Sequence, residues 1–67
     1  MDDLATRLGK RLQALRGDLS QLQFSKKLGI SNSSLRRMEE GEQNVSLKTL
    51  ETLCRRLKCD VGDLFSK

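Results

Sequence analysis

The segment over residues 21–41, QLQFSKKLGISNSSLRRMEEG, constrains the fold of this chain more than any other. Gly29 divides the segment, because glycine adopts a positive φ readily and so marks the point where a first helix ends. Ser20 and Gln23 have the S-x-x-Q spacing of a capping box, and Ser31 offers a hydroxyl to cap a second helix. The pattern therefore predicts two short helices joined by a tight turn.

The apolar residues of this segment recur at helical spacing on both sides of the turn. Phe24 and Leu28 are four residues apart. Leu35 and Met38 are three apart, so each helix has one narrow side to bury. The side chains outside the second stripe are small, polar or basic, namely Asn32, Ser33, Arg36 and Arg37. Such a pair of helices is typical of a DNA-binding helix-turn-helix, whose second helix enters the major groove.

Three further helices are predicted, one before this segment and two after it. The first covers about residues 3–16 and carries a leucine stripe formed by Leu4, Leu8, Leu12 and Leu15. Ser46 can cap a fourth helix. Its apolar stripe is predicted to contain Leu47, Leu50, Cys54 and Leu57, with Leu53 beside it. Asp60 and Asp63 have capping-box spacing for a short fifth helix, which gives an all-α chain.

Taken together, these segments resemble a known family. SQLQFSKKLGISNSSLRRMEEG resembles the helix-turn-helix of the phage-repressor and Cro-type (XRE) family of bacterial DNA-binding domains, and NVSLKTLETLCRRLKCDVGDLF resembles its fourth and fifth helices. The resemblance implies an all-α, compact five-helix bundle of the lambda-repressor-like type, with the helix-turn-helix at helices 2 and 3. It implies a single DNA-binding domain over residues 1–67, and a small transcriptional regulator that binds double-stranded DNA sequence-specifically with helix 3 (about 32–40) in the major groove.

The same resemblance assigns roles to individual residues. Those expected to contact base edges are Asn32, Ser33, Ser34 and Arg37. Those expected to contact the DNA backbone are Gln21, Arg36 and Asn44. The chemistry fits, because asparagine pairs with adenine, arginine with guanine, and a helix N-terminus attracts phosphate. The resemblance also implies a structural ion pair between Arg16 of helix 1 and Glu39 of helix 3.

Charge supports a polyanionic partner, with one local exception. The net charge is +4 and the sequence pI is about 9.5, which suits DNA without requiring it. Glu40 and Glu42, however, lie in a loop expected near a phosphate strand, where they repel DNA. Together with Leu22, where relatives usually have a charged residue, they motivate an alternative function. In that alternative the fold is a protein-interaction module, such as an antitoxin or accessory factor, with weak DNA binding.

The composition argues against catalysis, metal binding and a bound cofactor. The chain has no histidine, so neither a Ser-His nor a Cys-His nucleophile can be built. Two cysteines without histidine cannot supply the four ligands of a structural zinc site within one chain. Cys54 and Cys59 are therefore interpreted as reduced, small apolar groups. No enzyme, metal, cofactor or small-molecule substrate is expected.

Location and assembly follow from what the sequence contains. No apolar stretch approaches the ~18 residues of a membrane span, and the N-terminus lacks a signal-peptide core, so a soluble cytoplasmic protein is expected. A homodimer on a palindromic operator is expected, with its contact around residues 60–65, because a lone helix-turn-helix contacts few bases. The alternative to a dimer contact is that Phe65 closes the hydrophobic core of the monomer.

Basic residues outside the helix-turn-helix have local interpretations. On helix 1, Arg7, Lys10 and Arg11 are interpreted as a solvated face. At the end of helix 4, cations suit the negative end of the helix dipole better than they suit a second DNA patch. Those cations are Arg55, Arg56 and Lys58.

Overall fold

The part of the chain that the structure describes forms five helices, as the sequence predicts. A computed structural model of the chain describes residues 3–42 and 45–65, and no strand occurs in these residues. The helices are α1 (Leu4–Arg16), α2 (Gln21–Leu28), α3 (Asn32–Glu39), α4 (Leu47–Leu57) and α5 (Val61–Leu64). Across the described ranges, none of the helices has both the length and the apolar character that crossing a membrane takes.

Local polar contacts begin α2 and α3, and a glycine ends α2. The Ser20 hydroxyl accepts a hydrogen bond from the backbone N–H of Gln23 at 3.0 Å. The Gln23 side-chain oxygen accepts one from the backbone N–H of Ser20 at 3.0 Å, which completes the predicted capping box at the start of α2. The Ser31 hydroxyl accepts the amide of Ser34 at 3.1 Å at the start of α3. Between them Gly29 has a φ of 73°, the left-handed conformation that ends α2. The spacing of caps and glycine therefore sets the angle at which α3 leaves the turn.

The core lies between all five helices. Its fully or nearly fully buried side chains are Leu8, Leu12, Phe24, Leu28, Leu35, Met38, Leu53 and Leu64. Helix α3 contributes Leu35 and Met38 and packs against both α1 and α2. Because one side of α3 is held in the core, its opposite side is turned to solvent. This arrangement gives the short helix a fixed outer face.

The predicted apolar stripe of α4 was wrong in one respect. Leu47 was placed on the buried stripe, but it is 83% exposed, whereas Leu53 is fully buried. The buried side of α4 is centred on Leu53, and a helix turns about 100° per residue, which places Leu47 about 120° away from it. In helix α1, Leu4 and Leu15 at the two ends of the predicted stripe are exposed, whereas Leu8 and Leu12 between them are buried.

A nearly buried carboxylate joins the first three helices. Glu39 is 6% exposed. Its Oε2 accepts a hydrogen bond from Arg16 Nε at 2.9 Å, and its Oε1 accepts one from Gln21 Nε2 at 3.0 Å. Its main-chain oxygen accepts Gln13 Nε2 at 2.8 Å. We call Glu39, Arg16, Gln21 and Gln13 the Glu39 cluster; it satisfies a charge that would otherwise be costly to bury.

Helix α1 approaches the end of α3 closely at Gly9. A Cβ atom on residue 9 would lie 2.5 Å from the Met38 carbonyl oxygen and 2.9 Å from that of Glu39. Both neighbours are backbone atoms, so a larger residue would push the two helices apart. The close approach at Gly9 was not predicted from the sequence. The signal was available, because a glycine inside a helix normally costs about 0.5–1 kcal/mol of stability and so indicates a packing reason.

Two arginines of α1 hold the last helix in place. Arg7 Nη2 donates to the Phe65 carbonyl at 2.8 Å, and Arg11 Nε donates to the Asp63 carbonyl at 3.1 Å. The final carbonyls of a helix lack partners within it and carry partial negative charge, so cations suit them. The interpretation of these two side chains as a merely solvated face was therefore wrong.

The two cysteines pack at the end of α4. Both lie against the hydrophobic core as free thiols, and the Cys59 amide donates to the Cys54 carbonyl at 3.0 Å around the end of the helix. Burial raises the pKa of the Cys59 thiol, and Cys54, Asp63 and Asp60 raise it further. Because the thiolate is the reactive form, a raised pKa lowers the reactivity of this thiol at neutral pH. The geometry suits small apolar side chains.

We expect Arg16 and Glu39 to act as a coupled pair in folding. Replacing either one by alanine leaves its partner with uncompensated charge and should lower the free energy of unfolding by about 2–4 kcal/mol. The double variant should lose clearly less than the sum of the two single losses. Urea unfolding of the wild type, the two single variants and the double variant measures this coupling.

The matched control is the ion pair between Glu51 and Arg55 on the outside of α4. Its Nη2–Oε1 distance is 3.1 Å, and its side chains are 74% and 70% exposed. An exposed i,i+4 pair of this kind contributes about 0.3–0.5 kcal/mol. If the coupling between Arg16 and Glu39 is no larger than this, the Glu39 cluster does not hold the helices together.

Candidate nucleic-acid interface

The outer face of α3 brings together most of the residues predicted to contact DNA. Its exposed side chains are Asn32, Ser33, Ser34, Arg36 and Arg37. Leu35 and Met38 hold the opposite side in the core. An α-helix with its side chains is about 10–12 Å across, and the major groove of B-DNA is about 12 Å wide. The exposed face of α3 therefore has the size and the hydrogen-bonding groups to enter that groove.

The first turn of α3 presents small polar groups. Asn32 and Ser33 are exposed there, beside the Ser31 cap. Ser34 takes part in the cap, because its hydroxyl oxygen accepts the Ser31 hydroxyl at 2.9 Å. Since Ser34 accepts in that bond, its own O–H can still donate to a base edge or a phosphate. These residues can approach a base pair closely.

Arg37, the predicted guanine-contacting residue, lies beside an acidic side chain. Its Nε is 4.0 Å from Glu42 Oε2, and the two side chains are 67% and 54% exposed. The backbone sets this approach, because the Glu42 amide donates to the Arg37 carbonyl at 3.1 Å around Gly41, whose φ is 86°. The sequence predicts Glu42 near the DNA but does not predict its contact with Arg37. The signal was available, since a glycine just after a helix commonly folds the following residue back over the last turn.

A shallow depression lies next to this pair, between α3 and the start of α4. Its volume is about 160 Å³, and its lining consists of Ile30, Ser34, Arg37, Met38, Glu42, Val45 and Thr49. The apolar members come from the turn, the buried side of α3 and the residues before α4. The polar members are hydroxyls and the Arg37–Glu42 pair. The face around Arg37 is thus concave with a polar edge rather than flat.

The residues predicted to contact the DNA backbone are placed differently from one another. Arg36 is exposed on α3. Gln21 is half-buried at the first position of α2, and its Nε2 donates to Glu39 Oε1 at 3.0 Å. An amide nitrogen carries two hydrogens, so Gln21 can use one in the Glu39 cluster and one outside it. Asn44 lies outside the described residues.

Two arginines at the end of α4, Arg55 and Arg56, lie close to other groups of the protein. The Arg56 guanidinium lies over the turn between α2 and α3, where a Cβ atom on Gly29 would be 2.9 Å from its Nη2. Arg55 pairs with Glu51 at 3.1 Å. A cation at the carbonyl end of α2 is electrostatically favourable. Over residues 3–42 and 45–65, no group of three or more histidine, cysteine or acidic residues could hold a metal ion.

Comparisons with known proteins agree with this geometry. A family described as helix-turn-helix matches residues 10–64. Control protein C.MunI from Mycoplasma sp is 35% identical over 69 residues, and the match covers 98% of this chain and 93% of the relative. The crystal structure of the restriction-modification controller protein C.AhdI from Aeromonas hydrophila superimposes with a TM-score of 0.75 at 32% identity. That match covers 91% of this chain and 96% of the other.

A further relative is longer than this chain. The antitoxin PezA of Streptococcus pneumoniae serotype 4 (strain ATCC BAA-334 / TIGR4) is 36% identical over 59 residues, or 85% of this chain. The match spans only 37% of that antitoxin. The two controller proteins, by contrast, match over nearly their whole length. The chain therefore belongs to the XRE-type helix-turn-helix family of DNA-binding transcriptional regulators, a non-enzymatic class.

Proposed function

We propose that this chain acts as one helix-turn-helix domain over residues 1–67, in the cytoplasm, as a controller-type regulator. In this proposal two copies bind a palindromic operator, each with α3 in the major groove. The observation that carries the proposal is the exposed polar face of α3, held in a fixed direction by the Glu39 cluster. Two relatives matched over most of their length are named as control or controller proteins, which supports the same function.

Arg37 is the proposed main base-contacting residue. It lies six residues after the Ser31 cap, and its side chain is 67% exposed on the face opposite Leu35 and Met38. Its guanidinium can donate to guanine O6 and N7 together, a pairing that discriminates against other bases by about 1–3 kcal/mol. The shorter side chains of Asn32, Ser33 and Ser34 then contact neighbouring base pairs.

Gln21 and Arg36 are proposed to contact phosphates. Gln21 is the first residue of α2, where helix amides and the helix dipole favour an anion. Arg36 lies about 100° round the helix from Arg37, toward the backbone of the duplex. Asn44 stays a prediction for the next phosphate. These contacts fix the position of α3 and are the same for every base pair.

A homodimer is proposed because one helix-turn-helix contacts few bases, and two half-sites about one helical turn (~34 Å) apart give specificity. In the segment over residues 60–65, Phe65 is half-buried against the core, while Val61 is 52% exposed. Val61 is therefore the apolar side chain of this segment that a second copy can cover. Leu47 on α4 is also exposed and apolar, at 83%.

The second candidate function is a protein-interaction module with weak DNA binding. Leu22 on α2 favours it, because an apolar side chain 53% exposed beside the DNA-facing helices suits a protein partner. The similarity to the antitoxin PezA favours it as well, over the part of that protein that matches. The two candidate functions predict different effects of salt concentration on DNA binding.

A salt titration of duplex-DNA binding separates the two functions. If about six phosphates are neutralised, the association constant should fall about a thousandfold between roughly 50 and 200 mM salt. Fluorescence anisotropy with a labelled duplex measures this dependence. Binding that stays at background on genomic DNA at low salt would contradict DNA binding as the main function and favour a protein partner.

Variants of the two neighbouring arginines and of Gln21 test the contacts. Arg37→Ala should relax base preference at one position in each half-site, because it removes the bidentate contact to guanine. Gln21→Ala should weaken all sequences about equally, because phosphates carry no base identity. Arg36→Ala is the control. If it changes the selected sequence while Arg37→Ala does not, the groove-facing side of α3 has been assigned wrongly.

Two apolar residues of nearly equal exposure test the dimer contact. Val61→Glu should shift the protein to monomers in sedimentation equilibrium, because it places a charge in the proposed contact. Leu22→Glu removes an apolar side chain of 53% exposure on another surface and should leave the dimer intact. Circular dichroism checks that both variants keep their helices. Wild-type protein that stays monomeric at high concentration, with and without operator DNA, would contradict the homodimer.

A further inference from the structure

We infer that Glu42 determines DNA specificity by acting on Arg37, as a positioning residue beside the base-contacting one. This inference rests on the proposed function. Glu42 keeps a negative charge beside the guanidinium on the outer face of α3 and opposes the transfer of that guanidinium to a phosphate. The acidic loop, which by charge alone argues against DNA binding, thereby favours the correct site over unrelated sequence.

The position of Glu42 is set by the backbone and does not depend on the ion pair. Helix α3 ends at Glu39, and Gly41 reverses the chain with a φ of 86°. The Gly41 amide donates to the Met38 carbonyl at 3.1 Å, and the Glu42 amide donates to the Arg37 carbonyl at 3.1 Å. This pair of hydrogen bonds is the helix-ending motif in which the residue after the glycine packs over the last turn. Glu42 is therefore beside Arg37 whether or not the charges meet.

The contact leaves the guanine-binding edge of the guanidinium available. The Glu42 carboxylate approaches Nε of Arg37, at 4.0 Å. A guanidinium has five N–H donors, of which one is on Nε and four are on the terminal nitrogens. A guanine needs two donors, for O6 and N7. Arg37 can thus keep its contact with Glu42 and still form both bonds to the base.

Charge then distinguishes a base edge from a phosphate. Guanine O6 and N7 are neutral acceptors, whereas a phosphate carries a full negative charge and repels a nearby carboxylate. On unrelated DNA, Arg37 has no guanine at its position and its main favourable partner is a phosphate. Glu42 opposes that contact more than it opposes the contact with guanine. Its charge should therefore weaken non-specific binding more than specific binding.

In the free protein, the Arg37–Glu42 ion pair is expected to add little to the free energy of unfolding. Both side chains are more than half exposed, and ion pairs in water contribute little to folding. In a groove filled by α3 and depleted of water, the same charges interact more strongly. The effect of Glu42 is thus expected in the DNA complex and not in the unfolding of the free chain.

Glu42→Gln tests the inference, with Glu40→Gln as the matched control. Each variant removes one negative charge from the same exposed segment, so the long-range field changes equally, but only Glu42 lies against Arg37. Affinity is measured for the selected operator and for an unrelated duplex of the same length. Glu42→Gln should raise non-specific affinity about three- to tenfold and specific affinity less than about twofold. The ratio of the two should fall, while Glu40→Gln should leave that ratio unchanged.

The outcomes distinguish this inference from the function on which it rests. A fall in the ratio confined to Glu42→Gln, with an unchanged melting temperature, supports the positioning role. If the ratio is unchanged in Glu42→Gln, or falls equally in Glu40→Gln, the inference is wrong and the proposed function stands. If wild-type protein does not prefer any duplex over unrelated DNA, the proposed function itself fails.

Discussion

The carboxylate of Glu39 joins α1, α2 and α3 through hydrogen bonds to Arg16 and Gln21. It is nearly buried, and it receives a guanidinium from α1 and an amide from α2. Because its own helix is only eight residues long, α3 has little intrinsic stability and takes its direction from its neighbours. Gly9 allows α1 to lie directly against the end of α3 and so brings Arg16 within reach. The outer face of α3 is therefore oriented by contacts on its inner side.

This arrangement links the scaffold to the proposed DNA contacts. Gln21 belongs to the Glu39 cluster and also begins the helix that is proposed to face a phosphate. A contact at Gln21 would thus fix α3 through one shared carboxylate. Two residues beyond Glu39, at the same C-terminal end of α3, Gly41 turns the chain so that Glu42 stands beside Arg37. The C-terminal end of this short helix is thus held by two different means, a buried charge and a backbone turn.

Local chemistry made much of this fold predictable from sequence. Ser20, Gln23 and Ser31 cap helices through hydrogen bonds that span three residues, and such contacts depend on spacing alone. The helix order and the exposed face of α3 follow from that spacing and from the apolar period. The Arg16–Glu39 contact was expected only from family resemblance, because no local rule joins residues 23 positions apart.

The features that sequence analysis missed depend on how helices cross. Leu47 has the right residue type and period for a core position, but the side of α4 that faces the core is decided by its neighbours. In the sequence, Arg7 and Arg11 resemble an ordinary charged helix face. In the structure they donate to the last carbonyls of α5, which no local pattern predicts. The need for glycine at residue 9 is evident only from the packing of α3 against it. Sequence alone gives the period of each helix and leaves the crossing geometry open.

We propose that α3, oriented by the Glu39 cluster on its inner side, recognises a defined duplex sequence. Selection of bound sites from a random pool of duplexes with the wild-type protein tests it most directly. We expect one enriched motif with two inverted half-sites. Their centres should be about 10–10.5 base pairs apart, and each half-site should contain a guanine. A pool that stays random through repeated rounds, at low salt as well as high, would contradict it.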